Sequence, residues 1–171
     1  VMLNPGGAFG PSKMWAPRRY AALADALVDR CGAQILINAA PAEREIAAEV
    51  GEEMSRRPHV NFAERDNTLG MLKSLLARCD LLVTNDTGAR HIGAAMGTGV
   101  VTIFGSTDPA WTTIGYERER LVVSDVPCAP CQQKVCTLAP GPFYHRCMTA
   151  ISVERVVAAA EELLDGAGGC T

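Results

Sequence analysis

Asn85-Asp86-Thr87-Gly88-Ala89-Arg90-His91-Ile92-Gly93-Ala94-Ala95-Met96-Gly97 stands between two apolar runs, Leu81-Leu82-Val83-Thr84 and Val100-Val101-Thr102-Ile103-Phe104. The pattern is strand, polar turn, helix of small residues, strand. Asp86, Thr87 and Gly88 fall at the helix start, where four backbone N–H groups lack intrahelical partners. Such a terminus attracts anions, phosphate above all. A βαβ unit with an anion-binding turn is the frame on which the rest of the chain is read.

The alternation continues on both sides of this unit. Val1–Leu3 reads as a strand, and Pro17 opens a helix as a first-turn proline can. That helix carries an apolar stripe at Tyr20, Leu23, Ala24, Leu27 and Val28 with a period near 3.6 residues. Residues 34–38 form a second strand, Ile46, Ala47, Val50 and Met54 mark a second helix, and Val60–Phe62 is a short third strand. Thr68 caps a helix through Leu69, Leu72 and Leu76. Leu121–Ser124 is a sixth strand, and Ser152 caps a last helix with Val153, Val156, Val157, Ala160 and Leu164. Strands alternating with helices predict a parallel sheet covered on both faces, an α/β Rossmann-like doubly wound domain. Its expected extent is residues 1–165, with a Cys-rich irregular loop at 125–150 and a flexible tail at 166–171. Ligands of such sheets bind outside the carboxyl ends of the strands, so the loops after strands one, two, four and five are the ones to inspect.

The chain has 171 residues, 48% hydrophobic and 20% charged, which suits one domain with a real core. A net charge of −3 argues against a nucleic-acid partner, because a basic footprint is the usual sign of one. No apolar run approaches the ~20 residues that span a bilayer. The start at Val1-Met2-Leu3-Asn4 reads as the inside of a strand, hence as a fragment. Of seven cysteines, Cys31 and Cys79 end helical patterns and read as ordinary semi-buried thiols. An odd count in an α/β pattern points to a reducing cytoplasm rather than a disulfide scaffold.

Loop one, Asn4 to Trp15, holds Gly6 and Gly7, which permit close backbone approach and positive φ. It also holds Lys13, whose ammonium can reach a phosphate in the crevice; the bland alternative is a glycine turn with a solvated lysine. It is neither a dinucleotide fingerprint nor a P-loop. In loop two, Glu43 suits a helix start and can also accept hydrogen bonds from sugar hydroxyls. In loop four, Thr87 and Gly88 offer a hydroxyl and open N–H groups, and Asp86 is expected to cap the helix and fix the turn. His91 lies four residues beyond Thr87, on the same helical face, where its imidazole can donate to a phosphate oxygen. In loop five, Gly105 suits a tight strand exit and Thr107-Asp108-Pro109 a turn start. Asn67 and Thr68, ahead of the third helix, are candidate neighbours of a base or ribose. Cys128-x2-Cys131-x4-Cys136-x10-Cys147, with His145 adjacent, admits a structural zinc knuckle, free thiols or a C-x-x-C disulfide.

Three motifs occur in order: Pro5-Gly6-Gly7-Ala8-Phe9-Gly10-Pro11-Ser12-Lys13-Met14-Trp15-Ala16-Pro17, then Asn85-Asp86-Thr87-Gly88-x-x-His91-x-x-Ala94-Ala95, then Phe104-Gly105-Ser106-Thr107-Asp108-Pro109. Together they resemble the lipopolysaccharide heptosyltransferases, glycosyltransferase family 9, from Val1 to about Leu164. The Ala8-Phe9-Gly10-Pro11-x-Lys13 form and the Cys-x2-Cys-x4-Cys segment before Cys147-Met148-x-x-Ile151 resemble the heptosyltransferase II branch of that family. The resemblance implies the GT-B architecture of two Rossmann-like domains, of which this chain matches the C-terminal, donor-binding one. It implies an ADP-heptose donor, and a lipopolysaccharide-core acceptor held by the missing N-terminal domain. The general-base aspartate belongs to that domain, so no catalytic residue is expected here. By position, Lys13, Thr87, Gly88 and His91 match the donor-phosphate contacts, and Glu43 a glutamate near the donor sugar or ribose. No cofactor is implied for catalysis. Peripheral contact of the intact enzyme with the cytoplasmic face of the inner membrane is compatible with the resemblance, and the oligomeric state is open. Ala89 and Arg90 depart from the hydrophobic residue more usual after the glycine. Two other readings stay open from the residues: another GT-B enzyme or epimerase acting on a different nucleotide sugar, or a non-catalytic nucleotide- or metal-binding module.

Overall fold

A computed structural model of the chain describes residues 1–166 and 170. Six strands run in chain order: β1 Met2–Asn4, β2 Leu36–Ile37, β3 Val60–Asn61, β4 Leu81–Asn85, β5 Gly99–Phe104 and β6 Glu119–Val123. All pairs are parallel and the spatial order is β3-β2-β1-β4-β5-β6. This is the doubly wound Rossmann-like arrangement expected from the alternation, with the order reversing between β1 and β4.

Among the described residues, six α-helices accompany the sheet: α1 Pro17–Cys31, α2 Arg44–Glu53, α3 Leu69–Leu76, α4 Gly88–Ala95, α5 Arg146–Thr149 and α6 Val153–Asp165. α1 starts at Pro17 and ends at Gly32, whose φ of 62° places it in the left-handed region that terminates helices. Thr68 and Ser152 cap α3 and α6 by accepting from the N–H groups of Met71 and Arg155. One face of the sheet packs Leu3, Ile37, Val83, Val101 and Ile103 against Leu23, Leu27, Val157 and Ala160 of α1 and α6. The other packs Met2, Leu82 and Val100 against Leu76 and Ala89. Gly93 of α4 is needed for that second contact, since a Cβ there would lie 2.9 Å from a Leu82 methyl. The helix of small residues is therefore small because it lies directly on β4.

Two expectations change. Cys31 is not a free thiol but is bonded to Cys170, 139 residues away. That pairing could not be read from local spacing, because it joins the end of α1 to the segment after α6. Of the expected flexible tail, residues 167–169 and 171 lie outside the described residues. Between β6 and α5 the described residues form no helix or strand. Among the described residues, no helix is long and apolar enough to cross a membrane.

Candidate functional site

At the carboxyl ends of β1, β2 and β4 the sheet opens into a cleft of about 430 Å³. Asn4, Gly7, Asn38, Glu43, Asn67, Thr68, Asp86, Thr87 and Gly88 line it, with Ala39, Pro41, Leu69 and Leu72 on its apolar side. It sits at the point where the strand order reverses, the usual ligand position in such folds.

The 3-10 turn at Pro11–Lys13 aims Lys13 beneath the start of α4. Its Nζ donates to the Asp86 backbone oxygen at 3.1 Å and to Asp86 Oδ2 at 2.7 Å. The Phe9 ring lies 4.6 Å from the ammonium. An ammonium has three donors, so one remains after Asp86 takes two.

Asp86 does not cap α4, contrary to the expectation from its position. The N-cap is Thr87, whose side chain makes no capping bond. The Asp86 carboxylate turns inward instead, accepting from Lys13 and from Thr107 Oγ1 at 3.0 Å, with Arg90 Nη1 3.8 Å away. Two cations and a hydroxyl outbid a single backbone N–H for a buried carboxylate. Thr107 therefore supports the site through Asp86. Asp108 caps the following 3-10 turn, accepting from the Ala110 N–H at 2.9 Å.

Arg90 is fully buried. It grips Glu119 with two bonds, Nε to Oε1 at 2.6 Å and Nη2 to Oε2 at 3.0 Å, and donates to the Thr112 carbonyl at 2.8 Å. Thr102 supplies Glu119 with a further donor at 2.7 Å. Nothing in the local sequence pattern exposes this pair, which ties α4 to β6.

Glu43 ends the 3-10 turn before α2 and accepts from the Ala40 N–H at 3.3 Å. A Cβ on Gly6 would sit 2.2 Å from the Glu43 carboxyl carbon, so Gly6 is required for this close approach. Neither Gly6 nor Gly7 uses positive φ, however; in this loop that falls to Gly10, at φ 153° beside the Lys134 carbonyl.

Asp86, Thr87, Gly88 and Glu43 are thus brought to the cleft, with Lys13 bonded to Asp86 of its lining. His91 is not: it is exposed and does not line the cleft. Thr87 is extended, at φ −139°, so the helical spacing assumed between Thr87 and His91 does not hold.

Sequence reasoning missed a chain of side-chain amides. Asn4 Nδ2 donates to Thr84 Oγ1 at 3.1 Å and to Thr87 Oγ1 at 3.3 Å, and Asn38 Nδ2 donates to Asn4 Oδ1 at 2.6 Å. Asn67 Nδ2 in turn donates to Asn38 Oδ1. Asn85 was missed as well: its Nδ2 holds the carbonyls of Pro5 at 2.8 Å and Gly6 at 3.3 Å, while the buried Tyr20 hydroxyl donates to its Oδ1 at 3.1 Å. The legible signal was asparagine at the carboxyl end of β1 and β4 and just after β2.

Of the three readings of the cysteine loop, the structure shows free thiols rather than a zinc knuckle. Among the described residues, no group of three His, Cys, Asp or Glu side chains is placed to hold a metal ion. Cys136 Sγ instead accepts from the His145 backbone N–H at 3.3 Å, and Cys147 is buried against loop five. Burial, and then the neighbouring Cys131, Cys128 and Cys136, push the Cys147 thiol up to about 11. All four remain free thiols, so there is no C-x-x-C disulfide either. The segment acts as a brace: Gln132 N–H donates to the Ser106 carbonyl at 2.7 Å and Ser12 N–H to the Lys134 carbonyl at 3.2 Å, joining loops one and five.

Residues 1–141 match the family model for glycosyltransferase family 9 (heptosyltransferase). The chain is 34% identical over 165 residues to lipooligosaccharide heptosyltransferase 2 of Campylobacter jejuni, covering 95% of this chain and 50% of that protein. Among solved structures it is similar to the E. coli ADP-heptose LPS heptosyltransferase II, with a TM-score of 0.77 and 26% identity over 98% of this chain and 47% of that one. It is equally similar to a glycosyltransferase family 9 protein of Veillonella parvula, with a TM-score of 0.77 and 26% identity over 97% and 46% of the two chains. The chain spans about half the length of the curated relatives it matches.

Proposed function

The chain belongs to glycosyltransferase family 9, the heptosyltransferases, and on that premise we propose that it is the donor-binding half of an inverting enzyme that transfers heptose from ADP-heptose to the lipopolysaccharide inner core. The observation that carries this reading is the convergence of Thr87, Gly88 and Glu43 on one cleft at the reversal of strand order, with Lys13 bonded to Asp86 of its lining.

In this reading the diphosphate lies over the start of α4, on the N–H groups of its first turn. Lys13 gives its third N–H to a phosphate oxygen while Asp86 holds the other two. Glu43 accepts from a ribose or heptose hydroxyl, and Asn67 and Thr68 flank the base. An acceptor hydroxyl attacks the anomeric carbon from the face opposite the diphosphate. The bond from that carbon to the β-phosphate oxygen breaks, and the electron pair leaves with ADP. Charge growing on the leaving phosphate is met by donors already in place, which are typically worth about 10²–10³ in rate each. His91 is assigned an outer contact, reached when the ligand extends past Gly88. The base that takes the hydroxyl proton is assigned to the acceptor-binding half of the family architecture. No cofactor is invoked, and the lipid-linked acceptor puts the reaction at the cytoplasmic face of the inner membrane.

Calorimetry with ADP tests the reading. The chain should bind ADP, with affinity reduced strongly by Lys13→Met or Thr87→Val and less by His91→Ala, and should not transfer heptose by itself. Absence of ADP binding, or equal affinity in all three variants, would refute it.

A further inference from the structure

We propose that Asn67 selects the base of the donor nucleotide by accepting a hydrogen bond from an exocyclic amine. The inference rests on the donor-nucleotide reading above and adds the residue that discriminates between bases.

The argument begins at Thr84. Its hydroxyl donates to the Asn85 carbonyl at 2.9 Å. A hydroxyl has one proton, so toward Asn4 it can only accept. That fixes the Asn4 amide with its NH₂ toward Thr84 and Thr87 and its carbonyl toward Asn38. The Asn4 carbonyl in turn requires the NH₂ of Asn38, found at 2.6 Å. The Asn38 carbonyl then requires the NH₂ of Asn67. Each amide is oriented by the one before it, back to a proton committed to the main chain.

What remains at the open end is the Asn67 carbonyl. Oδ1 is shielded from water and has no hydrogen-bond partner among the described residues. Asn67 cannot turn over to offer its NH₂ without setting two carbonyls face to face at Asn38. The relay therefore presents the unpartnered Asn67 carbonyl at this end, while its amide nitrogen is held by an N–H donated to Asn38. Asn67 lines the same cleft as Leu69, Leu72 and Pro41, whose apolar surface suits the faces of a planar ring. Thr87, at the phosphate end, is the other terminus of the same relay. Base and diphosphate are spaced in that order in a nucleoside diphosphate, with Glu43 on the same cleft for the ribose between them.

An exocyclic amine, as on adenine, satisfies Asn67 Oδ1. A carbonyl at the same place, as on hypoxanthine, meets another acceptor. An unmet buried acceptor of this kind is worth roughly five- to a hundredfold in affinity.

The test is calorimetry of the chain with ADP, inosine diphosphate, and 2′-deoxy- and 3′-deoxy-ADP. Wild type should prefer ADP over inosine diphosphate by about tenfold or more. The ratio should shrink to about twofold or less in Asn67→Ala, and also in Asn38→Ala, which frees Asn67 to turn over. Circular dichroism verifies that each variant is folded; if one is not, the wild-type ratio and the other variant decide. ADP and inosine diphosphate binding equally to wild type, or a preference that persists without the Asn67 side chain, overturns the inference and leaves the donor reading standing. Loss of affinity on removing a ribose hydroxyl that is abolished by Asn67→Ala, with no loss for inosine diphosphate, overturns it in favour of a ribose contact. Failure to bind any adenine nucleotide overturns both.

Discussion

Replacing Lys13 by methionine keeps the length of the side chain and its packing on Phe9 while removing the charge. In the native fold Lys13 and Asp86 side chains are 10% and 7% exposed and meet at 2.7 Å. Breaking a buried pair by removing one partner costs about 3–5 kcal/mol, because the other charge is left uncompensated. Here Asp86 retains the Thr107 hydroxyl at 3.0 Å and Arg90 at 3.8 Å, which sets the expected loss at the lower end, about 3 kcal/mol. For a domain of this size that lowers Tm by about 6–12 °C. Adding Asp86→Asn removes the stranded charge but keeps an acceptor for Thr107. The double variant should therefore recover about 2 kcal/mol of the loss, a coupling that urea denaturation of the four proteins in the cycle measures directly. A Lys13→Met loss below about 1 kcal/mol with no coupling to Asp86 is what an exposed pair would give, and would refute the reasoning.

Three further outcomes are expected. Arg90→Leu should destabilise by about 3–5 kcal/mol by stranding Glu119, and Arg90→Lys should not restore the loss because one ammonium cannot make both bonds; chemical denaturation of both variants checks this. Gly6→Ala should change stability by less than about 1 kcal/mol, since only the end of the Glu43 side chain must move, yet should weaken ADP binding without adding to the effect of Glu43→Ala. The Cys147 thiol keeps its proton in the folded state above the ordinary value of 9.0 and up to about 11. The unfolded chain binds fewer protons across that interval, so this contribution to stability is complete below pH 9 and is lost as pH rises toward 11. Tm measured from pH 8 to 11 should fall more steeply for wild type than for Cys147→Ala; parallel curves would exclude the effect.

The sheet and its helices were legible because alternation and helical stripes are local signals, and right-handed crossovers turn them into a topology. Thr87 and Glu43 stand in loops after strand ends, and the structure places both on the cleft; Lys13, from the loop after β1, is instead bonded to Asp86. Asp86 was misread because local rules weigh only nearby donors, whereas its partners lie 73 residues upstream and 21 downstream. His91 was placed on the face of Thr87 by helical spacing, but the helix starts one residue after Thr87. Cys31 and Cys170 meet across 139 residues, a separation on which periodicity is silent. The four clustered cysteines had metal-like spacing, and the fold uses them otherwise, with Cys147 in the core and Cys136 holding a backbone N–H. The amide relay was invisible for a related reason. Each asparagine taken alone is an ordinary strand-end residue, and only adjacency of β2, β1 and β4 makes Asn38, Asn4 and Thr84 neighbours.

Asn85 holds two carbonyls of the loop that carries Lys13, and Tyr20 holds Asn85. The shape of that loop is thus settled as the chain folds, before any nucleotide arrives. On the proposed donor reading, a nucleoside diphosphate would meet a finished surface, and its capture would be set by diffusion and orientation rather than by a search through loop conformers. Nucleotides of different affinity should then be taken up at similar rates and differ in how long they stay.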